Sequence, residues 1–129
     1  QCIGCRYCMA ACPYTVKSFN WFSPDWPEEM ASALNPDVSV RPVGVVEKCT
    51  FCVHRLQKAK EDAAVENREM QENDYVPACV ESCPTQAMTF GDLDNSSSEV
   101  AKLNRSPRAY RLLENLGTEP KVYYLSEIE

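Results

Sequence analysis

The sequence lacks the features that mark the common enzyme classes, membrane spans and nucleic-acid-binding proteins. It contains no G-x-S-x-G motif, no phosphate-binding loop and no dinucleotide fingerprint. No apolar run reaches the roughly 18 to 20 residues that a membrane-spanning helix needs. The net charge is -6 and no basic stripe offsets it, which argues against a nucleic-acid partner. An acidic surface suits a basic protein partner instead.

Histidine is nearly absent too, since the chain has 1. A Rieske centre needs two histidines on one iron, so this type of centre is excluded. We interpret the single residue, His54, as a surface or packing side chain, or as a local tuner of potential through hydrogen bonding, and not as a ligand.

Cysteine, in contrast, is abundant, with 8 residues in two similar sets. The first set has the spacing C-x2-C-x2-C-x3-C-P, which is typical of bacterial ferredoxins with two iron–sulfur clusters. Its members are Cys2, Cys5, Cys8 and Cys12. The second set carries the same proline after its last cysteine, and its members are Cys49, Cys52, Cys79 and Cys83.

The two sets are an internal repeat that is interrupted by an insertion between Cys52 and Cys79. In this type of spacing the fourth cysteine of each run binds the other cluster. We therefore predict two [4Fe-4S] clusters that use all the cysteines. The predicted ligands of the first cluster are Cys2, Cys5, Cys8 and Cys83, and those of the second cluster are Cys49, Cys52, Cys79 and Cys12.

Two other uses of the cysteines are open at this point. Thiolates also bind zinc, so a zinc-stabilised interaction module without a redox role is the main alternative. It is disfavoured because structural zinc sites usually use two separated cysteine pairs, whereas Cys2 to Cys8 holds three cysteines in one short loop. A disulfide framework would require strained or crossed pairings. Neither these alternatives nor the cluster prediction leaves a cysteine for catalysis.

The predicted fold class is α+β, a ferredoxin-like two-cluster domain with a pseudo-twofold repeat, a helical insertion and a C-terminal extension. We predict this domain over residues 1–93, with an irregular, proline-rich loop at 20–43 and the helical insertion at 53–73. The extension covers residues 94–129 and contains no cysteine. No strand leads into the first cysteine loop, so we expect the chain to be a fragment whose N-terminal part is missing.

Shorter elements are predicted from local patterns. A helical turn is expected at 6–11, and strands are expected at 15–19, 44–47, 87–90 and 121–125. In the extension, Ser96 and Glu99 resemble a capping box, with Ser96 as the N-cap. This pattern predicts a helix that ends at about Leu103. A second helix is predicted to begin at Ser106-Pro107 and to end before Gly117. Its buried face would consist of Ala109, Leu112, Leu113 and Leu116.

Four basic residues lie close in sequence to the predicted ligands: Arg6, Lys17, Lys48 and Arg55. Positive charge near a cluster stabilises the reduced state, so these residues would raise the reduction potentials. The alternative is that they only pair with surface carboxylates.

Three stretches resemble the iron–sulfur subunits of membrane-bound, quinone-linked oxidoreductases. They are Cys2 to Tyr14, Glu47 to Arg55 (EKCTFCVHR) and Pro77 to Asp92 (PACVESCPTQAMTFGD). This family includes the iron–sulfur B chains of polysulfide and dimethyl sulfoxide reductases. It also includes related subunits of alternative complex III and of a sulfite-reduction-associated membrane complex, which the segments GVVEKC and LGTEPK resemble most.

The resemblance implies an electron-transfer subunit that is not an enzyme on its own. It would relay single electrons between a quinone-reactive integral membrane subunit and a catalytic, often molybdopterin-containing, or haem-bearing partner. It further implies a membrane-associated complex of a bacterium or archaeon, and we expect the periplasmic rather than the cytoplasmic side. Members of this family normally carry two further cluster motifs upstream, so we expect the chain to be N-terminally truncated.

Overall fold

The computed structural model describes residues 1–127, which form a mixture of short helices and short antiparallel strands. The helices are α1 (Tyr7–Ala11), α2 (Val53–Val65), α3 (Ala78–Glu81) and α4 (Glu99–Asn104). The strands are β1 (Ser18–Phe19), β2 (Val46–Glu47), β3 (Ala109–Tyr110) and β4 (Tyr124–Leu125). Short 3-10 helices cover Glu28–Ala33, Glu72–Asp74 and Glu114–Leu116. Helices and strands together agree with the predicted α+β class. The last two residues of the predicted extension, 128–129, lie outside the described part of the chain.

By internal contacts the chain divides into two compact units, Gln1–Gln57 and Lys58–Glu129. This division does not test the predicted boundary between residues 93 and 94, which stays a prediction. None of the described helices is both long enough and apolar enough to cross a bilayer.

The first unit is built on an antiparallel pair of strands. In the pair β1–β2, Ser18 lies opposite Glu47 and Phe19 opposite Val46. Two further hydrogen bonds extend it, from the Asn20 amide to the Val45 carbonyl and from the Gly44 amide to the Asn20 carbonyl, both 2.9 Å. Both strands fall within their predicted ranges but are shorter.

No side chain in residues 1–57 is buried. A unit without a hydrocarbon core needs other cross-links, which iron–sulfur clusters can supply. The loop at 20–43 is irregular as predicted, except for the 3-10 helix Glu28–Ala33. Its tryptophans, Trp21 and Trp26, are 61% and 48% exposed.

The helix of the insertion is shorter than predicted. It ends at Val65 and not at Asn73, because Asn67 adopts the left-handed conformation with a φ of 52°. The amides that follow close the helix end in a Schellman-type pattern, Asn67 on the Ala64 carbonyl and Arg68 on the Ala63 carbonyl. The buried side of α2 consists of Ala59 and Ala63. Because these side chains are small, other segments of the second unit can approach the helix closely.

The predicted strand at 87–90 is wrong, since neither of the described sheets includes these residues. Side chains anchor this segment instead. The ring of Phe90 packs edge-on against Tyr75, with 5.1 Å between centroids. Just beyond, the Glu72 carboxylate accepts hydrogen bonds from the Asp92 amide at 3.0 Å and from the Asn95 side chain at 3.3 Å.

The first helix of the extension is confirmed, but its cap is Ser98 and not Ser96. The Ser98 hydroxyl accepts a hydrogen bond from the Ala101 amide at 3.1 Å and donates one to the Asp92 carbonyl at 2.7 Å. Ser98 is buried and holds the start of α4 against the preceding turn.

The second predicted helix, from Ser106-Pro107 to Gly117, is wrong. Tyr110 belongs to β3, which pairs with β4 and places Tyr110 opposite Tyr124. Leu113 takes a left-handed conformation with a φ of 51°, which no regular helix can include. The predicted buried leucines are therefore exposed, at 45% for Leu112, 44% for Leu113 and 50% for Leu116. Gly117 does end a helical element in the left-handed conformation, but that element is the short 3-10 helix Glu114–Leu116.

Candidate metal centres

The first cysteine loop is held against the strands of the first unit. The sulfur of Cys2 accepts a hydrogen bond from the Val46 amide at 3.3 Å. Gly4 approaches the chain so closely that a Cβ atom there would lie 2.3 Å from the Gly44 carbonyl oxygen. Hydrogen bonds from the backbone amides of Val46 and Gly4 lower the pKa of the Cys2 thiol. This environment favours the thiolate, which is the form that binds metals.

Arg6 connects the first two cysteines to α1, which carries Cys8. It adopts a left-handed conformation with a φ of 60°, and its carbonyl accepts the first helical hydrogen bond from Met9 at 2.9 Å. Its guanidinium carbon lies 5.3 Å from the ring centroid of Phe19 and 5.0 Å from that of Trp21. The loop is thus also tied to β1 through a side chain.

The pair Cys49 and Cys52 lies in a similar tight turn that leads directly into α2. Phe51 and Cys52 have positive φ values of 53° and 55°. The Phe51 amide donates a hydrogen bond to the Cys49 sulfur at 3.4 Å. The ammonium group of Lys48 donates to the Cys49 carbonyl at 2.9 Å, which holds a positive charge next to this turn.

Cys79 lies on α3, and Cys83 follows its end. The sulfur of Cys83 lies 3.5 Å from the Thr85 hydroxyl oxygen. A hydrogen bond from the Thr85 side chain, with further ones from the backbone amides of Ala87, Thr85 and Met88, lowers the pKa of the Cys83 thiol. The Cys12 thiol has a matching environment, since hydrogen bonds from the Val16 and Tyr14 amides lower its pKa.

The two cysteine sets share part of their backbone hydrogen bonding. The carbonyl two residues before the third cysteine accepts two amides in each copy: Arg6 accepts from Met9 and Ala10, and Pro77 accepts from Val80 and Glu81. The carbonyl of the fourth cysteine accepts one amide in each copy, Thr15 at 3.4 Å on Cys12 and Gln86 at 3.2 Å on Cys83. Thr15 and Gln86 both have positive φ values, 53° and 51°. The repeat seen in the sequence therefore extends to these hydrogen bonds and to the left-handed residue after the fourth cysteine.

All eight cysteines lie in the described residues, and none of them forms a disulfide. Within residues 1–127, no three potential ligands of the Cys, His, Asp or Glu type form a group that could hold a metal ion. The structure thus shows each cysteine in its own local turn, and the assignment of four cysteines to each cluster stays a prediction. His54 is the second residue of α2 and lies in the first turn of this helix.

The residues present fit an iron–sulfur group in two respects. The donors are cysteine sulfurs, which are the ligands of such clusters. Backbone amides donate to the sulfurs of Cys2 and Cys49. Hydrogen bonds also lower the pKa of two further thiols, chiefly from the Val16 amide at Cys12 and from the Thr85 hydroxyl at Cys83. Amides directed at sulfur stabilise thiolates and also influence cluster potentials.

Sequence reasoning did not find these amide donors, because backbone amides leave no signal in residue type. Within the cysteine turns, the left-handed position Gly4 is recognisable as a glycine, whereas Arg6, Thr15, Phe51 and Gln86 carry no such signal. The cysteine-proline pairs at Cys12 and Cys83 were the one available signal for the turns that follow them.

Comparisons with known proteins agree with this site. A family model described as "4Fe-4S dicluster domain" matches residues 1–88. The chain is 58% identical over 132 residues to the iron–sulfur cluster-binding subunit of menaquinone reductase from Nitratidesulfovibrio vulgaris, covering 100% of this chain and 52% of that protein.

Two further relatives are more distant. A putative dimethyl sulfoxide reductase iron–sulfur subunit from Halobacterium salinarum is 44% identical, covering 98% of this chain and 41% of that protein. Iron–sulfur subunit 1 of an Hdr-like menaquinol oxidoreductase from Archaeoglobus fulgidus is 45% identical, covering 96% of this chain and 43% of that protein. The chain thus spans about half of the length of these curated relatives, or somewhat less.

The comparisons support the iron–sulfur prediction and give no support to the zinc alternative. The matched family model covers most of the described residues, including every cysteine. The chain therefore belongs to the 4Fe–4S dicluster domain family and is an iron–sulfur protein with two [4Fe-4S] clusters.

Proposed function

We propose that the chain is an electron-transfer module that relays single electrons within a larger oxidoreductase and catalyses no reaction of its own. The observation that carries this proposal is a hydrogen-bond pattern that recurs in the two cysteine sets, at the carbonyls of Arg6 and Pro77 and at those of Cys12 and Cys83. Two equivalent cluster-binding turns in one chain suit a relay, since they leave no cysteine for an open catalytic position.

We propose that the ligands are crossed between the two sets. Cys2, Cys5 and Cys8 would hold the first cluster together with Cys83, and Cys49, Cys52 and Cys79 would hold the second cluster together with Cys12. The matching environments of the Cys12 and Cys83 thiols support equivalent roles for these two residues. A pseudo-twofold, ferredoxin-like arrangement of the two sets is part of the same proposal.

When bound, the two clusters supply one-electron redox chemistry. The chain's own part is to present its sulfurs as thiolates and to hold them in fixed turns. The Val46 amide favours the thiolate of Cys2, and the Phe51 amide donates a hydrogen bond to the Cys49 sulfur. Such hydrogen bonds stabilise negative charge on the sulfur, so they also favour the more negative, reduced state of a bound cluster.

The proposed electron partners are a quinone-reactive integral membrane subunit and a catalytic, often molybdopterin-containing, or haem-bearing subunit. The names of the relatives support this, since one is a subunit of a menaquinone reductase and another of a menaquinol oxidoreductase. The third is a putative subunit of a dimethyl sulfoxide reductase. We further propose that the chain acts in a membrane-associated complex, on the periplasmic side.

Metal analysis of the anaerobically purified, cluster-loaded protein tests the proposal. We expect about eight iron and about eight sulfide ions per chain, as two cubanes require. Low-temperature EPR of the dithionite-reduced protein should show two clusters that interact magnetically. Two zinc ions without sulfide, and a colourless sample, would instead indicate a structural module, because zinc is redox-inert.

A further inference from the structure

A cation held on two aromatic rings lies within the first cysteine loop. The guanidinium carbon of Arg6 is 5.3 Å from the ring centroid of Phe19 and 5.0 Å from that of Trp21. The two rings pack edge-to-face, with 4.6 Å between centroids and an interplanar angle of 67°. These distances are within the range of cation–π contacts. The three side chains form what we call the Arg6 stack.

The Arg6 stack is not part of a buried core. Trp21 is 61% exposed, Arg6 is exposed and no side chain in residues 1–57 is buried. An aromatic pair that gained its stability from burial alone would be covered by other side chains. The stack instead fixes the position of the Arg6 charge, whereas a free arginine side chain would move among many rotamers.

The position of this charge in the sequence is significant. Arg6 stands between Cys5 and Cys8, and its left-handed backbone, with a φ of 60°, forms the N-terminal cap of α1. A non-glycine residue in this conformation is uncommon. The guanidinium of an arginine side chain supplies a positive charge. The stack therefore fixes a positive charge that belongs to the segment carrying the first three predicted ligands.

We infer that the Arg6 stack is a positioning device that raises the reduction potential of the first cluster. This inference rests on the proposed ligand role of Cys2, Cys5 and Cys8. A fixed positive charge stabilises the reduced cluster, which carries one more negative charge than the oxidised cluster. The aromatic rings exclude water from one side of the guanidinium, which reduces the screening that an exposed charge would otherwise undergo.

The test is a redox titration of the cluster-loaded protein, monitored by EPR, for four variants. Arg6→Met removes the charge but keeps an unbranched apolar side chain for packing on the rings. Arg6→Lys keeps the charge but not the planar stacking group. Trp21→Leu keeps Arg6 but removes one ring. Arg111→Met is the matched control, because Arg111 lies 5.5 Å from the Tyr123 ring in the cysteine-free extension.

We expect Arg6→Met to lower one of the two midpoint potentials. The expected shift corresponds to a change of up to about tenfold in the ratio of reduced to oxidised cluster, which is about 59 mV for a one-electron couple. Trp21→Leu should give a smaller shift in the same direction, since the charge remains but is less fixed. Arg6→Lys should likewise give a smaller shift than Arg6→Met, since it keeps the charge but not the stacking group. Arg111→Met should leave both potentials unchanged.

Two outcomes would overturn the inference. Unchanged potentials in Arg6→Met, with both clusters retained, would show that the stack only packs. Loss of iron and sulfide from Arg6→Met, and equally from a further variant, Arg6→Gln, would show that Arg6 is needed to hold the loop and not to set a potential. Failure of the proposed function is a separate result, because the parent protein itself would then lack iron and sulfide.

Discussion

Gly4→Ala should be strongly destabilising, because two independent costs coincide at this residue. Gly4 has a φ of +75°, and a Cβ atom there would lie 2.3 Å from the Gly44 carbonyl oxygen. An alanine in the left-handed region costs about 1–2 kcal/mol. Forcing an added methyl group against backbone, which cannot rotate away, costs about 1–3 kcal/mol more. We therefore expect a total loss of about 2–5 kcal/mol.

Gly44→Ala separates these two costs. Gly44 has a φ of +87°, but a Cβ atom added there would meet no atom within 4 Å, so only the backbone cost of about 1–2 kcal/mol applies. The assay is anaerobic denaturation of the cluster-loaded protein with guanidinium chloride, followed by the visible absorbance of the clusters. The Gly4→Ala midpoint should lie clearly below that of Gly44→Ala. Equal midpoints would refute the close approach of the cysteine loop to Gly44.

Three further changes have specific expected outcomes. Cys12→Ser should remove the second cluster and leave the first, so that about four of about eight iron ions remain. If EPR showed that the first cluster was lost instead, the crossed assignment of ligands would be contradicted. Ser98→Ala should lower the free energy of unfolding by about 1 kcal/mol through loss of the α4 cap, whereas Ser96→Ala should change it by less than about 0.5 kcal/mol in the same denaturation assay. Glu72→Ala should speed hydrogen exchange at the Asp92 amide, which donates to the Glu72 carboxylate at 3.0 Å; an unchanged rate would show that this contact does not protect the amide.

The parts of the fold that sequence predicted well are those determined by residues close in the chain. The turn into α1 follows from the cysteine spacing and Pro13, and α2 follows from a run rich in alanine, lysine and glutamate. The end of α2 was missed because asparagine in the left-handed conformation ended the helix where glycine would have been the clearer signal.

The extension was predicted less well, because its structure depends on contacts between distant residues. The segment after Pro107 carries leucines at helical spacing, which predicted a helix. The pairing of Tyr110 with Tyr124, whose rings stack at 5.7 Å, favours a strand instead. Local propensity is weak compared with such pairing, and a single sequence does not reveal which distant segment is the partner.

The cysteines of the site could be identified from sequence, but the groups that surround them could not. The spacing of eight cysteines predicted two clusters, and the family match supports this. The amides that donate to sulfur, such as those of Val46 and Phe51, are backbone groups that every residue but proline carries. Their direction is a property of conformation, so only the folded structure reveals it.

The left-handed residues show that the conformation of the cysteine turns matters more than the residue type that occupies them. In the first turn the position two residues after the first cysteine is Gly4, with a φ of 75°; in the second turn the equivalent position is Phe51, with a φ of 53°. Phenylalanine adopts this conformation at a cost that glycine avoids. In return the Phe51 amide points at the Cys49 sulfur, at 3.4 Å, and the Gly4 amide acts in the same way on Cys2. A left-handed conformation recurs at these equivalent positions, and in both copies it directs an amide at a sulfur. The hydrogen bond to the sulfur therefore explains this conformation better than the residue type does.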